Sequence, residues 1–157
     1  MMLKKIPSVI VPIIKNSQTY DKNLNELLKN KKVIIFGVPG AFTPTCSEQH
    51  LPGFIKYSDN IKLKGIDEIY CMSVNDKYVM KSWFMTYKDC DKIMGIADGN
   101  GEVSNHLGVI SDKTSNFMGL RCTRFSMIVH DNIIKNSFFE DPGKFKNTSA
   151  EDMLKIL

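Results

Sequence analysis

Four cysteines stand at positions 46, 71, 90 and 122, and the first has a setting the others lack. Cys46 closes the run Gly37-Val38-Pro39-Gly40-Ala41-Phe42-Thr43-Pro44-Thr45-Cys46. Pro39 and Pro44 each fix φ and stiffen the run, while Gly37 and Gly40 permit turns and close backbone approach. A thiol placed there can attack a small electrophile once it ionises, because the thiolate is the nucleophile. Three features favour ionisation. Cys46 falls in the first turn of a helix, where unpaired N–H groups and the helix dipole attract negative charge. Thr43, three residues earlier, offers a hydroxyl to the sulfur or to a bound oxygen. Arg124 lies on a strand whose other face is apolar, so its cation is aimed at something specific rather than spent on a surface ion pair. A buried, inert thiol is the common fate of a free cysteine, but it does not account for this density of Pro, Gly and Thr.

The elements around the loop follow from pattern. Residues 7–14 predict an edge strand and Leu24 to Leu28 a short helical turn. The apolar, β-branched run Val33 to Val38 predicts a central strand covered on both faces. After Cys46, Leu51, Phe54, Ile55 and Ser58 recur at helical spacing, with a kink expected at Pro52 and a stop at Gly65. Glu68 to Val74 predicts the next strand. Asn75 offers an N-cap to a helix that presents Val79, Trp83 and Phe84 on one face. A short strand at Ile93 to Ala97, a turn at Asp98 to Gly101 and a short helix to Leu107 follow. Cys122 to Val129 and Ile133 to Phe139 form a hairpin about Asp131-Asn132. Ser149 to Asp152 reads as a capping box for the last helix. This alternation predicts one α/β domain over residues 1–157, a mixed central sheet with helices on both faces.

Composition narrows the function classes. A chain of 157 residues with 43% hydrophobic and 24% charged residues builds a single ordinary core. The net charge of +4 comes from scattered lysines without interleaved aromatics, which argues against a nucleic-acid-binding face. No CxxC or zinc-finger spacing is present, so no metal is expected, and four cysteines are too few for a disulfide scaffold. Thiols left free suit a reducing compartment. No apolar run is long enough for a membrane span. The N-terminal Lys4-Lys5 and the apolar residues after it are interrupted by Pro7 and Pro12 and followed by no small-residue cleavage site, so a secretory signal is not expected.

Pro39 to Cys46 resembles the active-site loop of the peroxiredoxins, P-x-x-x-T-x-x-C. The longer run Phe36 to Cys46, with His50-Leu51-Pro52-Gly53-Phe54, Ser73-Val74-Asn75-Asp76, Trp83 and Arg124-Phe125-Ser126-Met127-Ile128-Val129, resembles the type-five subfamily over nearly the whole chain. The resemblance implies a thioredoxin-like fold and no cofactor. It also implies a thiol peroxidase acting on hydrogen peroxide and alkyl hydroperoxides. Cys46 would be the peroxidatic cysteine, attacking the terminal peroxide oxygen and becoming a sulfenic acid. Thr43 and Arg124 would hold the peroxide, the backbone N–H groups of Thr45 and Cys46 would help stabilise the departing charge, and Pro39 would shield the sulfur from water. The family commonly forms homodimers through the surface near this loop.

One departure concerns the second thiol. Some members resolve the sulfenic acid with a cysteine near the C-terminus, and residues 141–157 contain none. Cys71 reads as a core thiol on a buried strand and Cys122 as a packing residue. Cys90 sits between Asp89 and Asp91, which oppose its ionisation. A one-cysteine cycle is therefore expected, with an external thiol, glutathione with glutaredoxin or a thioredoxin, as reductant. The compartment is expected to be the cytoplasm, or an organelle if a transit peptide has been removed. His50, one turn beyond Cys46, reads as a group that orients the loop rather than as a base. Two other classes share the fold. A disulfide oxidoreductase would carry a CxxC where this chain has Thr43-Pro44-Thr45-Cys46, and a non-enzymatic binding module would have no use for Pro39, Thr43, Cys46 and Arg124 together.

Overall fold

The computed structural model describes residues 4–157. The chain runs β1 (Ile10–Lys15), β2 (Gln18–Asn23), α1 (Leu24–Leu27), β3 (Lys32–Gly37), a π-helical turn (Cys46–His50) continuous with α2 (Leu51–Leu63), β4 (Glu68–Ser73) and α3 (Lys77–Met85). It continues through β5 (Met94–Ala97), α4 (Glu102–Leu107), β6 (Ile110–Asp112), β7 (Leu120–Cys122), β8 (Phe125–His130), β9 (Ile133–Phe139) and α5 (Ala150–Ile156). Seven strands form one sheet in the order β2-β1-β5-β4-β3-β8-β9, while β6 and β7 pair separately. The β3–β4 and β4–β5 pairs are parallel, and β1–β5, β3–β8 and β8–β9 are antiparallel, so the sheet is mixed.

Alternation along the inner strands divides the core into two layers. Ile34, Phe36, Ile69, Cys71 and Ile128 face Leu51, Phe54 and Ile61 of α2, Met80, Trp83 and Phe84 of α3, and Ala150 and Met153 of α5. Val33, Ile35, Tyr70, Met72, Met127 and Val129 face Leu24 and Leu28 near α1 and Val103 and Leu107 of α4. Helices thus cover both faces, and the inner strands are mainly apolar because neither side meets water. None of the described helices is long and apolar enough to cross a membrane.

Three expectations need correction. The strand over residues 7–14 is not at an edge: β1 is flanked by β2 and β5. The edge is β2, whose sequence Gln-Thr-Tyr-Asp-Lys-Asn carries too few apolar residues to show a strand pattern, and which is joined to β1 through Asn16 and Ser17, both at positive φ. Such a pair of central residues is the signature of a tight hairpin turn. Second, Asn75 does not cap α3. Asp76 does, accepting from Val79 N at 2.9 Å, and Met80 rather than Val79 is buried with Trp83 and Phe84. Third, Arg124 is not on a strand: it lies in the break between β7 and β8. The other turns agree with expectation, including Gly65 at φ 97 after α2, the Asp131-Asn132 hairpin, and the Ser149–Asp152 capping box.

Candidate active site

Strand β3 delivers the chain to the loop, and its last residue must be small. A Cβ on Gly37 would lie 2.0 Å from the Phe125 ring. Beyond it, Val38 N donates to Met72 O at 2.9 Å, and Ala41 N donates to the Asn75 carboxamide at 3.0 Å. Asn75 also accepts from the Ser73 hydroxyl, so the residue expected to cap a helix instead anchors the loop. Phe42 occupies φ 65, a conformation a non-glycine residue holds only where its surroundings enforce it. Thr43 donates its hydroxyl proton to Gly40 O at 2.7 Å. The hydroxyl therefore is not aimed as a donor at the sulfur, and its oxygen keeps lone pairs for an incoming proton.

The helix starts at Pro44, a favoured first helical residue because its missing N–H is not needed there. Ser47 N donates to Thr43 O at 2.9 Å, so the N–H groups of Thr45 and Cys46 precede the first closed turn. From Cys46 the ladder widens to π register, with Leu51 N bonded to Cys46 O. In that register the next donor would be residue 52, aimed at Ser47 O, and Pro52 has none. The Tyr87 hydroxyl fills the vacancy, donating to Ser47 O at 2.7 Å, and Trp83 Nε1 donates to Ser47 Oγ at 3.0 Å. The helix therefore absorbs Pro52 without breaking, and α3 clamps the turn that carries the cysteine.

Cys46 is fully buried, and its neighbour Arg124 lines a pocket of about 270 Å³ together with Pro39, Thr43, Thr45, Met118, Glu140 and Pro142, among others. Arg124 Nη2 donates to Cys46 Sγ at 3.1 Å, and Nη1 donates to His50 Nδ1 at 3.0 Å. His50 Nε2 donates in turn to Thr148 O at 2.8 Å. With Nδ1 accepting, the ring is the neutral Nε2–H tautomer. The Phe145 ring lies 5.7 Å from the guanidinium carbon. Neither of the two ion pairs among the described residues involves Arg124. Its charge is buried, hydrogen-bonded to a thiol and an imidazole, with no carboxylate partner.

His50 is thus neither a base nor a loop clamp. Phe36 and Phe54 pack on its ring, at centroid distances of 4.8 and 5.6 Å, and it holds Arg124 in place. Burial, and then the charge of Arg124, depress its pKa from 6.5 to about 3, against a smaller opposing pull from the Thr148 carbonyl. Between pH 6.5 and 3 the unfolded chain binds a proton at His50 that the folded chain does not, so stability falls as pH is lowered through that window. The His50 contribution is at most about 1.4 kcal/mol per pH unit. Denaturant titrations of the wild type and His50→Gln between neutrality and pH 4 should show a shallower acid loss in the variant.

The remaining thiols are poorly suited to ionise, and all four cysteines are free. Cys71 is buried in β4 and burial drives its pKa well up. Cys122 donates to Val38 O at 3.1 Å, and burial, with Asp98 and Cys46 adding to it, pushes its pKa up to about 12. Cys90 is half-buried, and its pKa is raised by burial first and by Asp91 second. The acidic neighbour therefore acts in the expected direction but is not the main cause. Among the described residues no cluster of three or more His, Cys, Asp or Glu is arranged to hold a metal.

The structure places Pro39, Thr43, Thr45 and Arg124 around one pocket, and the buried Cys46 meets it through Arg124. It adds His50, Asn75, Trp83, Tyr87 and the Thr148 carbonyl. The first four of these fall in the motifs noted in sequence or close by, whereas a backbone carbonyl leaves no signature.

Similarity to known proteins defines the class of this chain. The family model for Redoxin matches residues 4–154. Peroxiredoxin-2B of Arabidopsis thaliana is 44% identical over 142 residues, covering 90% of this chain and 88% of its own. Reduced Prx3 from Vibrio vulnificus in complex with hydrogen peroxide superposes with a TM-score of 0.90 at 36% identity, covering 99% of both chains. The Plasmodium falciparum antioxidant protein, a 1-Cys peroxiredoxin, gives a TM-score of 0.90 at 34% identity, covering 99% of this chain and 97% of its own. The chain belongs to the Redoxin family, and within it to the peroxiredoxins of the type-five-like group, thiol-dependent peroxidases with the thioredoxin-like fold.

Proposed function

We propose that the chain is a single-domain peroxidase that reduces hydrogen peroxide and alkyl hydroperoxides at Cys46 and is returned to the thiol by an external reductant. The observation that carries this reading is the 3.1 Å contact between the Arg124 guanidinium and Cys46 Sγ, both of them buried. A buried cation without a carboxylate is costly, and the thiolate is the one anion in position to pair with it. That thiolate attacks the terminal oxygen of the peroxide: an S–O bond forms, the O–O bond breaks, Cys46 becomes a sulfenic acid, and the departing hydroxide or alkoxide takes up a proton, equivalent to the one Cys46 released on ionising, to leave as water or an alcohol. Thr43 accepts a hydrogen bond from the peroxide, because its own proton is bound to Gly40 O. Arg124 and the N–H groups of Thr45 and Cys46 stabilise the oxygen on which charge develops. Pro39, on the pocket wall, excludes water from the sulfur.

The substrate reading is supported by the hydrogen peroxide in the Vibrio vulnificus complex, and the one-cysteine cycle by the Plasmodium falciparum 1-Cys protein. It is supported further by the burial of Cys71 and Cys122 and the raised pKa of Cys90. Glutathione with glutaredoxin, or a thioredoxin, fits as the reductant. The exposed Phe42 and Phe117, adjacent in sequence to Thr43, Asn116 and Met118 of the pocket lining, offer apolar surface that supports a homodimer. Free thiols fit a reducing compartment, cytoplasmic or organellar.

Intact mass spectrometry tests the cycle. Reduced protein given excess peroxide without reductant should gain two oxygen atoms at Cys46, the sulfinic acid, and should stay monomeric on a non-reducing gel. Addition of the correct reductant should prevent that gain. An intramolecular disulfide to Cys71, Cys90 or Cys122 would overturn the one-cysteine proposal.

A further inference from the structure

Beyond His50 the hydrogen bonds continue into residues 140–148, whose Glu140 also lines the pocket. The carbonyl of Thr148 accepts from His50 Nε2 at 2.8 Å and from the Ser126 hydroxyl at 2.5 Å. Thr148 belongs to residues 140–148, a segment without regular secondary structure between β9 and α5. A segment of this kind needs its own anchor, since no ladder fixes its carbonyls. The anchor is one oxygen of Glu140. Its Oε2 accepts from Lys146 N at 2.7 Å, Asn147 N at 2.8 Å, Thr148 N at 3.1 Å and Thr148 Oγ1 at 2.8 Å. Glu140 is only 7% exposed. Its own N–H donates to Arg124 O at 3.0 Å, so the same residue is tied to the main chain of the arginine. Phe145, within the wrapped segment, packs on both the guanidinium and the His50 ring, at 5.7 and 5.0 Å.

We propose that Glu140 is a positioning residue for peroxide reduction: by wrapping residues 146–148 around its carboxylate it sets the Thr148 carbonyl, which fixes His50, which aims Arg124 at Cys46. The inference rests on the reading of Cys46 and Arg124 given above. Glu140 holds the segment through four hydrogen bonds, and each later link is a single hydrogen bond that fixes the orientation of the next group. The carbonyl selects the Nε2–H tautomer, the tautomer presents Nδ1 as an acceptor, and the acceptor holds one arm of the guanidinium. The other arm is then directed at the sulfur. A carboxylate burdened with four donors is a strong anchor, since charge-assisted bonds are shorter and stronger than neutral ones. Although burial would push its pKa up, the backbone donors from Asn147 and Lys146, with both groups of Thr148, hold it below the usual carboxylate range. No activity-bearing motif marks Glu140 in the sequence.

The test is a double-mutant cycle read on the reaction of Cys46 with one equivalent of hydrogen peroxide. Glu140→Ala should slow that reaction by on the order of tenfold or more, since misplacing the reacting groups by about 1 Å costs up to a hundredfold. Glu140→Gln, which keeps an acceptor oxygen of the same reach, should restore the rate to within about threefold of wild type. In an Arg124→Ala background, Glu140→Ala should add less than about twofold, because its effect passes through the arginine. A merely structural role would slow both backgrounds alike. A second readout does not use activity: nitrogen-15 spectra of histidine-labelled protein should show His50 as a protected Nε2–H tautomer in the wild type and in Glu140→Gln, lost in Glu140→Ala. If Glu140→Ala does not fold, Ser126→Ala, which removes the second donor to Thr148 O, carries the same cycle and should be slower than its parent only when Arg124 is present. Equal losses with and without Arg124, or an unchanged His50 signal in a slowed variant, would overturn the proposal. Peroxide consumption that persists without Cys46 would instead defeat the underlying reading of the site, so the two failures are distinguishable.

Discussion

Cys46→Ser should abolish peroxide reduction, lowering the rate by roughly a thousandfold or more, as removal of a covalent nucleophile does in other enzymes. The serine hydroxyl has nearly the shape of the thiol and fits the same fully buried position. It does not ionise at neutral pH, and oxygen does not form the sulfenic acid on which the cycle depends. Loss of activity would therefore report chemistry rather than unfolding, which a thermal melt would confirm. The remaining thiols are no substitute. Cys71 and Cys122 are buried and held protonated, and Cys90 is held toward the thiol by burial and Asp91. A Cys46→Ser protein that consumed hydrogen peroxide in steady state as the parent does would contradict the account.

The second large effect is expected at Arg124. Arg124→Ala removes a cation that sits 3.1 Å from the sulfur and 3.0 Å from His50 Nδ1. Loss of one such preorganised donor costs about 10²–10³ in rate. The loss should appear both in peroxide reduction and in a slower alkylation of Cys46 by iodoacetamide at neutral pH. Arg124→Lys should recover little, because an ammonium cannot span two acceptors as the planar guanidinium does. Stopped-flow rates for the three proteins would check this. Equal rates for wild type and Arg124→Ala would show that the contact with the sulfur has no part in the reaction.

How much of the fold and site is legible in the sequence depends on which physical signal each feature leaves. The inner strands are plain in Val33 to Phe36 and Glu68 to Val74 because burial on both faces forces an apolar run. Strand β2 is not, since an edge strand with one solvated side has no such constraint, and its polar sequence reads as loop. The loop from Pro39 to Cys46 is legible because core packing alone does not call for proline, glycine and threonine at this spacing ahead of a cysteine. Arg124 stands out as a cation next to an apolar run but is assigned to the wrong element. A residue in the break between β7 and β8 can reach the pocket, which a run of alternating residues does not convey.

Roles that pass through the backbone are beyond reach. His50 stands out in sequence, yet its partners are Arg124, 74 residues away, and the carbonyl of Thr148, 98 residues away. Neither separation has a pattern in one chain. The same holds for Tyr87, whose hydroxyl replaces the proton that Pro52 lacks. The sequence predicts a kink at that proline. A wider helical turn with a side-chain donor from α3 is the alternative solution to the same missing hydrogen bond, and it keeps Cys46 at the head of a continuous helix.

The most direct test of the central claim is to trap the first product. Fully reduced protein is mixed with one equivalent of hydrogen peroxide in the presence of dimedone, then digested and mapped by mass spectrometry. The account predicts a single dimedone adduct, on the peptide that carries Cys46, formed faster than any other modification and absent from Cys46→Ser. An adduct confined to Cys71, Cys90 or Cys122, or none at Cys46 while peroxide is consumed, would contradict it.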